Sequence, residues 1–315
     1  MRHLSARYGM VFFLGFLINF PGVAQTTETT ENDSLVDGDS LAYERQYDAR
    51  EVDPAERTDV IFPLERVVEN RAFDVGEKLT FKVRYGFVKA GTAVMHVKEK
   101  VKINDTAEAY HIVTTAKSAR FFDPFYKVRD QVESYVDTRS FFSWRYHKRL
   151  REGGYKFDLK VDYQQPYGYA EVEKIRYHSD EDKGIRSQNS FFIEIPEYVM
   201  DVLASFYYTR TQNLRVGEPV YMTNHDNKKI YNLEVVVEKK EIVEVEAGKF
   251  LCTKIEPRLK GDAIFQQKGR MWIWVTDDER KMPVQIQSKI KVGSIFIELT
   301  DYEGLNGPLA AKIRK

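Results

Sequence analysis

Asp277, Asp278 and Glu279 stand in succession and offer the hard oxygens that calcium prefers. No Asp-x-Asp-x-Asp-Gly loop surrounds them, and Arg280 and Lys281 neutralise charge locally, so a solvated hairpin turn fits better. The six histidines make no His-Glu-x-x-His or His-x-His pattern and no Cys-x-x-Cys occurs, so a zinc site has no support. His96 and His147 fall among alternating strand residues, where surface or interface positions are expected. A Gly-x-Ser-x-Gly elbow and Gly-rich phosphate loops are missing. Cys252, the only cysteine, follows Phe250 and Leu251, which suits an inert buried thiol better than a nucleophile paired with a distant histidine. No catalytic residue, metal or cofactor is assigned.

Two further sets of residues invite a role. Asp201 and Arg210 lie on a predicted helix nine positions apart, about two and a half turns. They either pin that helix to a sheet by buried hydrogen bonds or gate a pocket, and pinning is favoured because structural ion pairs are common. Trp272 and Trp274 share one face of a strand whose other face carries Met271, Ile273 and Val275. The two rings fill a core, floor a cavity for an apolar ligand, or stack on a sugar. A strand apolar on both faces needs cover on both.

The elements that would position these groups are mostly strands. Residues 266–300 read as a three-stranded antiparallel meander around the Trp strand. Earlier, Leu79, Phe81, Val83, Tyr85 and Phe87 alternate with Thr80, Lys82, Arg84 and Gly86. Lys89-Ala90-Gly91 is predicted to turn the chain, and Ala93, Met95 and Val97 face inward on the return. Gly153-Gly154 signals a two-residue hairpin. Residues 125–137 fit either a helix or a strand, with strand preferred. One helix is predicted over 196–210, with Pro196 at its first position, Glu197 in its first turn and Arg210 near its end. Val199, Val202, Leu203 and Phe206 mark its apolar face. About a dozen antiparallel strands and one helix must curl or close to hide apolar faces and edges. The fold class is therefore mainly β, a large curved antiparallel sheet or open β-barrel with one packed α-helix.

Composition bounds the compartment. The chain balances 48 basic against 48 acidic residues, so no net field favours nucleic acid. Arg2, His3 and Arg7 precede a short apolar run, and Pro21-Gly22-Val23-Ala24 supplies small residues at a cleavage site. Residues 1–24 are thus expected to be a signal peptide, leaving no transmembrane span after cleavage. Residues 25–60 are polar and acidic and are expected to form a disordered tether. Residues 61–315 are expected to form a single β-rich domain in the periplasm of a Gram-negative bacterium.

Several stretches carry a family resemblance. They are Phe73-Asp74-Val75-Gly76-Glu77 leading to Tyr85-Gly86-Phe87-Val88-Lys89-Ala90-Gly91, then Asp130 to Asp137, then Asp201-Val202-Leu203-Ala204-Ser205-Phe206-Tyr207-Tyr208-Thr209-Arg210, then Ala247-Gly248-Lys249-Phe250, then Trp274 to Pro283. Across roughly residues 73–299 the chain resembles the exported-protein family known as domain of unknown function 3108. That family carries no assigned reaction, so the resemblance transfers no catalytic residue. Its pattern is similar to the lipoprotein-carrier fold, in which a curved sheet holds acyl chains against a helix, a likeness at fold level only.

The reading that follows is an exported protein binding a lipid or other apolar ligand between sheet and helix, lined by Phe81, Val83, Tyr85, Met95, Trp272 and Trp274. The alternatives are a non-enzymatic envelope scaffold engaging other envelope proteins, and a hydrolase of envelope polymers. A large lined cavity favours the first, a solid core with an exposed aromatic patch the second, and a cleft with paired acids of shifted pKa the third.

Overall fold

The structure is a computed structural model that describes residues 46–179, 183–259, 270–290, 293–305 and 307–314. Its strands are β1 (Gln46–Asp48), β2 (Lys78–Tyr85), β3 (Val88–Lys102), β4 (Glu108–Ser118), β5 (Arg129–Asp137), β6 (Ser143–Glu152), β7 (Tyr155–Gln164), β8 (Tyr169–Tyr177) and β9 (Ile185–Glu194). After the helix α1 (Val202–Thr211) come β10 (Val220–Asp226), β11 (Lys229–Val245), β12 (Gly248–Leu259), β13 (Met271–Thr276), β14 (Pro283–Lys289) and β15 (Ser294–Glu303). All belong to one antiparallel sheet ordered β1-β11-β12-β13-β14-β15-β2-β3-β4-β5-β6-β7-β8-β9, with β10 also on β11. Most neighbours are hairpin partners. The pairings of β15 with β2 and of β1 with β11 are exceptions, and the first joins the two arms of the sheet. This is the curved sheet with one packed helix that alternation predicts. Residues 125–137 resolve as strand from Arg129 onward.

The sheet is not closed strand to strand. Among the described residues β9 has no strand partner on its outer side, and the β10–β11 hairpin ends the opposite margin. A short segment spans the gap between them: Gln46–Asp48 pairs with β11, and Arg50–Val52 then hydrogen-bonds to Phe192 and Glu194 of β9. We call residues 46–73 the strap; it bonds to the sheet at several points and enters the core at Ala72 and Phe73. Ile61 and Phe62 donate to Pro166 O, and Val68 donates to Arg139 O. Arg57 pairs with Glu194 at 2.7 Å. Of the tether expected over 25–60, residues 25–45 lie outside the described residues, as does the signal segment expected over 1–24, while the rest is not a free tether but bonds to the sheet. Hydrophobic periodicity misses such a segment because its attachment is by backbone and ion pairs.

The helix also differs from expectation. It starts at Val202, with Asp201 as its N-cap, rather than at Pro196. The backbone ahead of it is already committed: Ser143 donates to Val199 O, Met200 donates to Thr223 O, and His225 donates to Met200 O. Tyr198 has φ +57°, a left-handed conformation that a helix does not tolerate. The turn expected at Lys89-Ala90-Gly91 falls instead at Gly86-Phe87, since Tyr85 pairs with Val88. Gly91 lies inside β3, where a Cβ would stand 2.3 Å from Lys117 O, so its smallness serves the close approach of β3 and β4.

Candidate functional site

Asp201 decides where α1 begins and to what it is fixed. Its Oδ1 accepts the N–H groups of Leu203 and Ala204 at 2.8 and 3.0 Å, and its Oδ2 accepts the hydroxyls of Ser134 and Ser143 at 2.6 and 2.7 Å. Burial pushes this carboxyl up, against four hydrogen bonds that favour its charged form. At the other end, Arg210 donates to both oxygens of Glu77 at 2.7 Å and to Arg280 O at 3.1 Å. Asp201 and Arg210 do not meet. The first ties the helix to β5 and β6, the second ties it to the loop before β2 and to the β13–β14 turn.

Between these anchors lies an apolar cavity of about 60 Å³, lined by Leu203 and Phe206 of the helix and by Met95, Met222, Met271 and Ile273 of the sheet, among others. Small-molecule pockets run to roughly 300–1,000 Å³. Space on this scale holds a few waters.

Of the six residues expected to line a ligand site, only Met95 does so. Phe81 and Val83 are buried in the main core, and Tyr85 is 43% exposed at the end of β2. Trp272 and Trp274 point away from the cavity, because Met271 and Ile273 take the inward row of β13. Their outward face is covered by charge. The Lys254 ammonium sits 4.8 and 5.3 Å from the two ring centroids, and the Arg270 guanidinium sits 4.7 Å from that of Trp272. The indole N–H groups donate to Glu238 at 3.1 Å and Glu241 at 2.8 Å. Long charged side chains thus supply the cover that this face needs. Pattern alone identified the two rows of β13 but not which row faced inward.

Other sequence features fall into structural roles. Asp278 accepts from Thr276 Oγ1, Arg280 N and Ala311 N, holding the β13–β14 turn and the C-terminal segment together. Cys252 is buried, its thiol is pushed up to about 12 by burial, and it contacts Phe250 O at 3.7 Å.

A pair of carboxyl groups went unnoticed in the sequence. Asp130 on β5 and Glu152 on β6 are 3% and 4% exposed and lie close enough to influence each other's protonation. Burial raises both, and the proximity of Asp130 raises Glu152 further. Arg151 N donates to Asp130 at 2.6 Å. The two sit beneath Tyr126, sealed from solvent rather than open in a cleft.

The second site lies at one margin of the sheet. The β2–β3 turn and the 119–128 loop are adjacent, joined by Ala119 N donating to Ala90 O at 2.8 Å. The β6–β7 turn follows, with Gly153 N donating to Lys127 O. Phe87 is fully exposed, and Phe121 and Phe125 are each 75% exposed. Phe87 lies in the turn past the end of β2, where Tyr85 pairs with Val88, so the inward row that alternation extended to it has already ended. The 119–128 loop is held at its base: Asp123 accepts from Ser118 Oγ at 2.6 Å and from Arg129 at 3.2 and 2.7 Å, and Ser118 Oγ accepts from Val128 N at 2.9 Å. Arg129 holds the Asp123 carboxyl below its ordinary range. The rings of Phe121 and Phe125 lie 6.4 Å apart on this fixed loop.

The family described as "Protein of unknown function (DUF3108)" matches residues 80–300, well over half of the chain. This chain belongs to that family. Among curated proteins none matches. Solved structures similar to it include a β-barrel-like protein of the DUF1849 family from Brucella abortus, at 9% identity and a TM-score of 0.45, covering 75% of this chain and 100% of that one. A candidate exported protein with a YmcC-like fold from Bacteroides fragilis shares 9% identity with a TM-score of 0.32, over 75% of this chain and 99% of that one. A lipoprotein candidate from Parabacteroides distasonis shares 10% identity with a TM-score of 0.34, over 76% of this chain and 100% of that one. None of these likenesses bears on what the DUF3108 chain binds. No helix among the described residues is long and apolar enough to cross a membrane.

Proposed function

We propose that this DUF3108 protein is a non-catalytic interaction module of the cell envelope. It is exported to the periplasm by residues 1–24 and works through its surface rather than through an internal ligand. The observation that carries this is the pairing of a nearly solid core, with about 60 Å³ under the helix, and an ordered loop that holds Phe121 and Phe125 in solvent. Leaving large rings wet forfeits about 25 cal/mol per Å², so a rigid loop that displays them has something to cover them. The test is retention with the envelope after osmotic lysis of cells. Wild type is expected in the envelope fraction, and a Phe87→Ser, Phe121→Ser, Phe125→Ser variant is expected in the soluble fraction with an unchanged melting midpoint. Retention of the triple variant sinks the proposal.

One observation favours a second reading, an apolar ligand under α1. Met95, Met222 and Met271 line the cavity, and methionine repacks readily. Saturable binding of a labelled fatty acid, lost in Leu203→Trp but unaffected by Trp272→Ala, supports it. An absence of saturable binding rules it out.

A further inference from the structure

The exposed aromatic margin has a charge that the chain as a whole lacks. The full sequence balances its basic and acidic residues at 48 each. The segments 84–90 and 117–129 hold Arg84, Lys89, Lys117, Arg120, Lys127 and Arg129 against a single acid, Asp123. Asp123 is turned inward onto Ser118 and Arg129, and Arg84 is spoken for by Glu298. Lys89, Lys117, Arg120 and Lys127 remain exposed on the same segments that carry the rings. Apolar tips project from neighbouring turns, with Val88 beside Phe87 and 52% exposed. This arrangement differs from a flat protein-binding patch, whose centre is depleted of lysine.

We propose that this margin docks on an anionic lipid bilayer, with Phe87, Phe121 and Phe125 entering the interface and Lys89, Lys117, Arg120 and Lys127 meeting the headgroups. The inference rests on the reading of the protein as a surface-acting module and names its partner. Aromatic rings favour the headgroup level of a bilayer, and each nearby lysine or arginine adds attraction to an acidic surface. Stable attachment needs more than one signal, and here apolar insertion and basic charge coincide. The Asp123–Ser118–Arg129 network matters because it fixes the loop before contact, so little ordering remains to oppose binding.

The experiment is flotation of the chain without its export signal, residues 25–315, with vesicles of phosphatidylethanolamine and phosphatidylglycerol at about three to one, a composition with a negative surface. Wild type is expected to float with them, to bind more weakly at high salt, and to bind more weakly to vesicles lacking phosphatidylglycerol. Phe121→Ser and Phe125→Ser are each expected to weaken binding about tenfold, the scale expected for one large buried side chain. Lys89→Glu with Lys127→Glu is expected to weaken it on the acidic vesicles and abolish the salt dependence. Failure of wild type to float, or flotation of the Phe87→Ser, Phe121→Ser, Phe125→Ser variant as well as wild type, overturns the bilayer assignment. If wild type does not float while the same triple variant is released from the envelope in cells, the surface-acting reading stands and its partner is a protein.

Discussion

The guanidinium of Arg210 and the carboxylate of Glu77 face each other in a two-pronged ion pair, 2.7 Å on each arm, with neither side chain more than 1% exposed. It joins the end of α1 to the loop that feeds β2, positions 133 residues apart in sequence. Removing one partner strands a buried charge, so Glu77→Ala and Arg210→Ala are each expected to cost about 3–5 kcal/mol. Glu77→Leu combined with Arg210→Met is expected to recover most of that loss, because no charge is left to desolvate. Urea unfolding of the three variants measures this. A single-variant cost within about 0.5 kcal/mol, the range of ordinary surface changes, contradicts the burial of the pair.

Leu203 sits beside the cavity with 4% of its surface exposed. Leu203→Ala is expected to cost about 2–5 kcal/mol, toward the upper end because existing empty space limits collapse around the deleted atoms. The equilibrium unfolding midpoint at unchanged denaturant slope gives the value.

Stability should depend on pH through the Asp130–Glu152 pair. Burial and Asp130 push the Glu152 carboxyl from an ordinary 4.5 up to about 8 in the folded chain. In the window between these values the folded chain keeps a proton that the unfolded chain has released. Folding therefore takes up a proton, and stability falls as pH rises through that window. Glu152→Gln keeps the shape without the titration, so thermal melts are expected to show a flatter profile for the variant from about 4.5 to about 8. Identical slopes in the two proteins would place the titration elsewhere.

Removal of the strap should weaken the sheet. A chain beginning after Asp59 loses the contacts of Gln46–Asp48 with β11 and of Arg50–Val52 with β9, and it uncovers two strand margins. Its melting midpoint is expected to fall by about 5 °C or more relative to a chain beginning at Gln46, the shift that one or two kcal/mol produces in a domain of this size. Equal midpoints would make the strap an ornament. Scattering on heating should also rise in the shorter chain.

Sequence pattern reached the sheet and its single helix because alternation in stretches such as Leu79, Phe81 and Val83 survives burial on one face. It failed where the backbone departs from that rhythm. The tight turn between Tyr85 and Val88 ends β2 early and leaves Phe87 fully exposed instead of in the expected interior. Hydrogen bonds that Val199 O accepts from Ser143 and that Met200 exchanges with Thr223 and His225 keep the helix from starting at Pro196. The choice between the Met271–Ile273 row and the Trp272–Trp274 row is invisible to hydropathy, since lysine and arginine stems cover the indoles as well as apolar residues would. The Asp130–Glu152 pair was equally hidden, because two strand residues 22 positions apart carry no spacing signal. Phe121 and Phe125 lie in a loop outside any period, so only the fold reveals that they are displayed.

The strap also sets an order in time. Nearly every strand pairs with its successor, so hairpins from β2 to β9 and from β11 to β15 can form soon after their own residues are available, at small loop-closure cost. The strap comes first in the chain, yet one of its docking surfaces, β11, lies well over a hundred residues later, and the other, β9, precedes the helix. It cannot be clamped at both ends until β9 and β11 have both formed. The first described residues to emerge from the ribosome thus wait for a partner made far later in the chain. In a pulse of hydrogen exchange during refolding, the amides of Ala49 and Val52 should be the slowest to become protected.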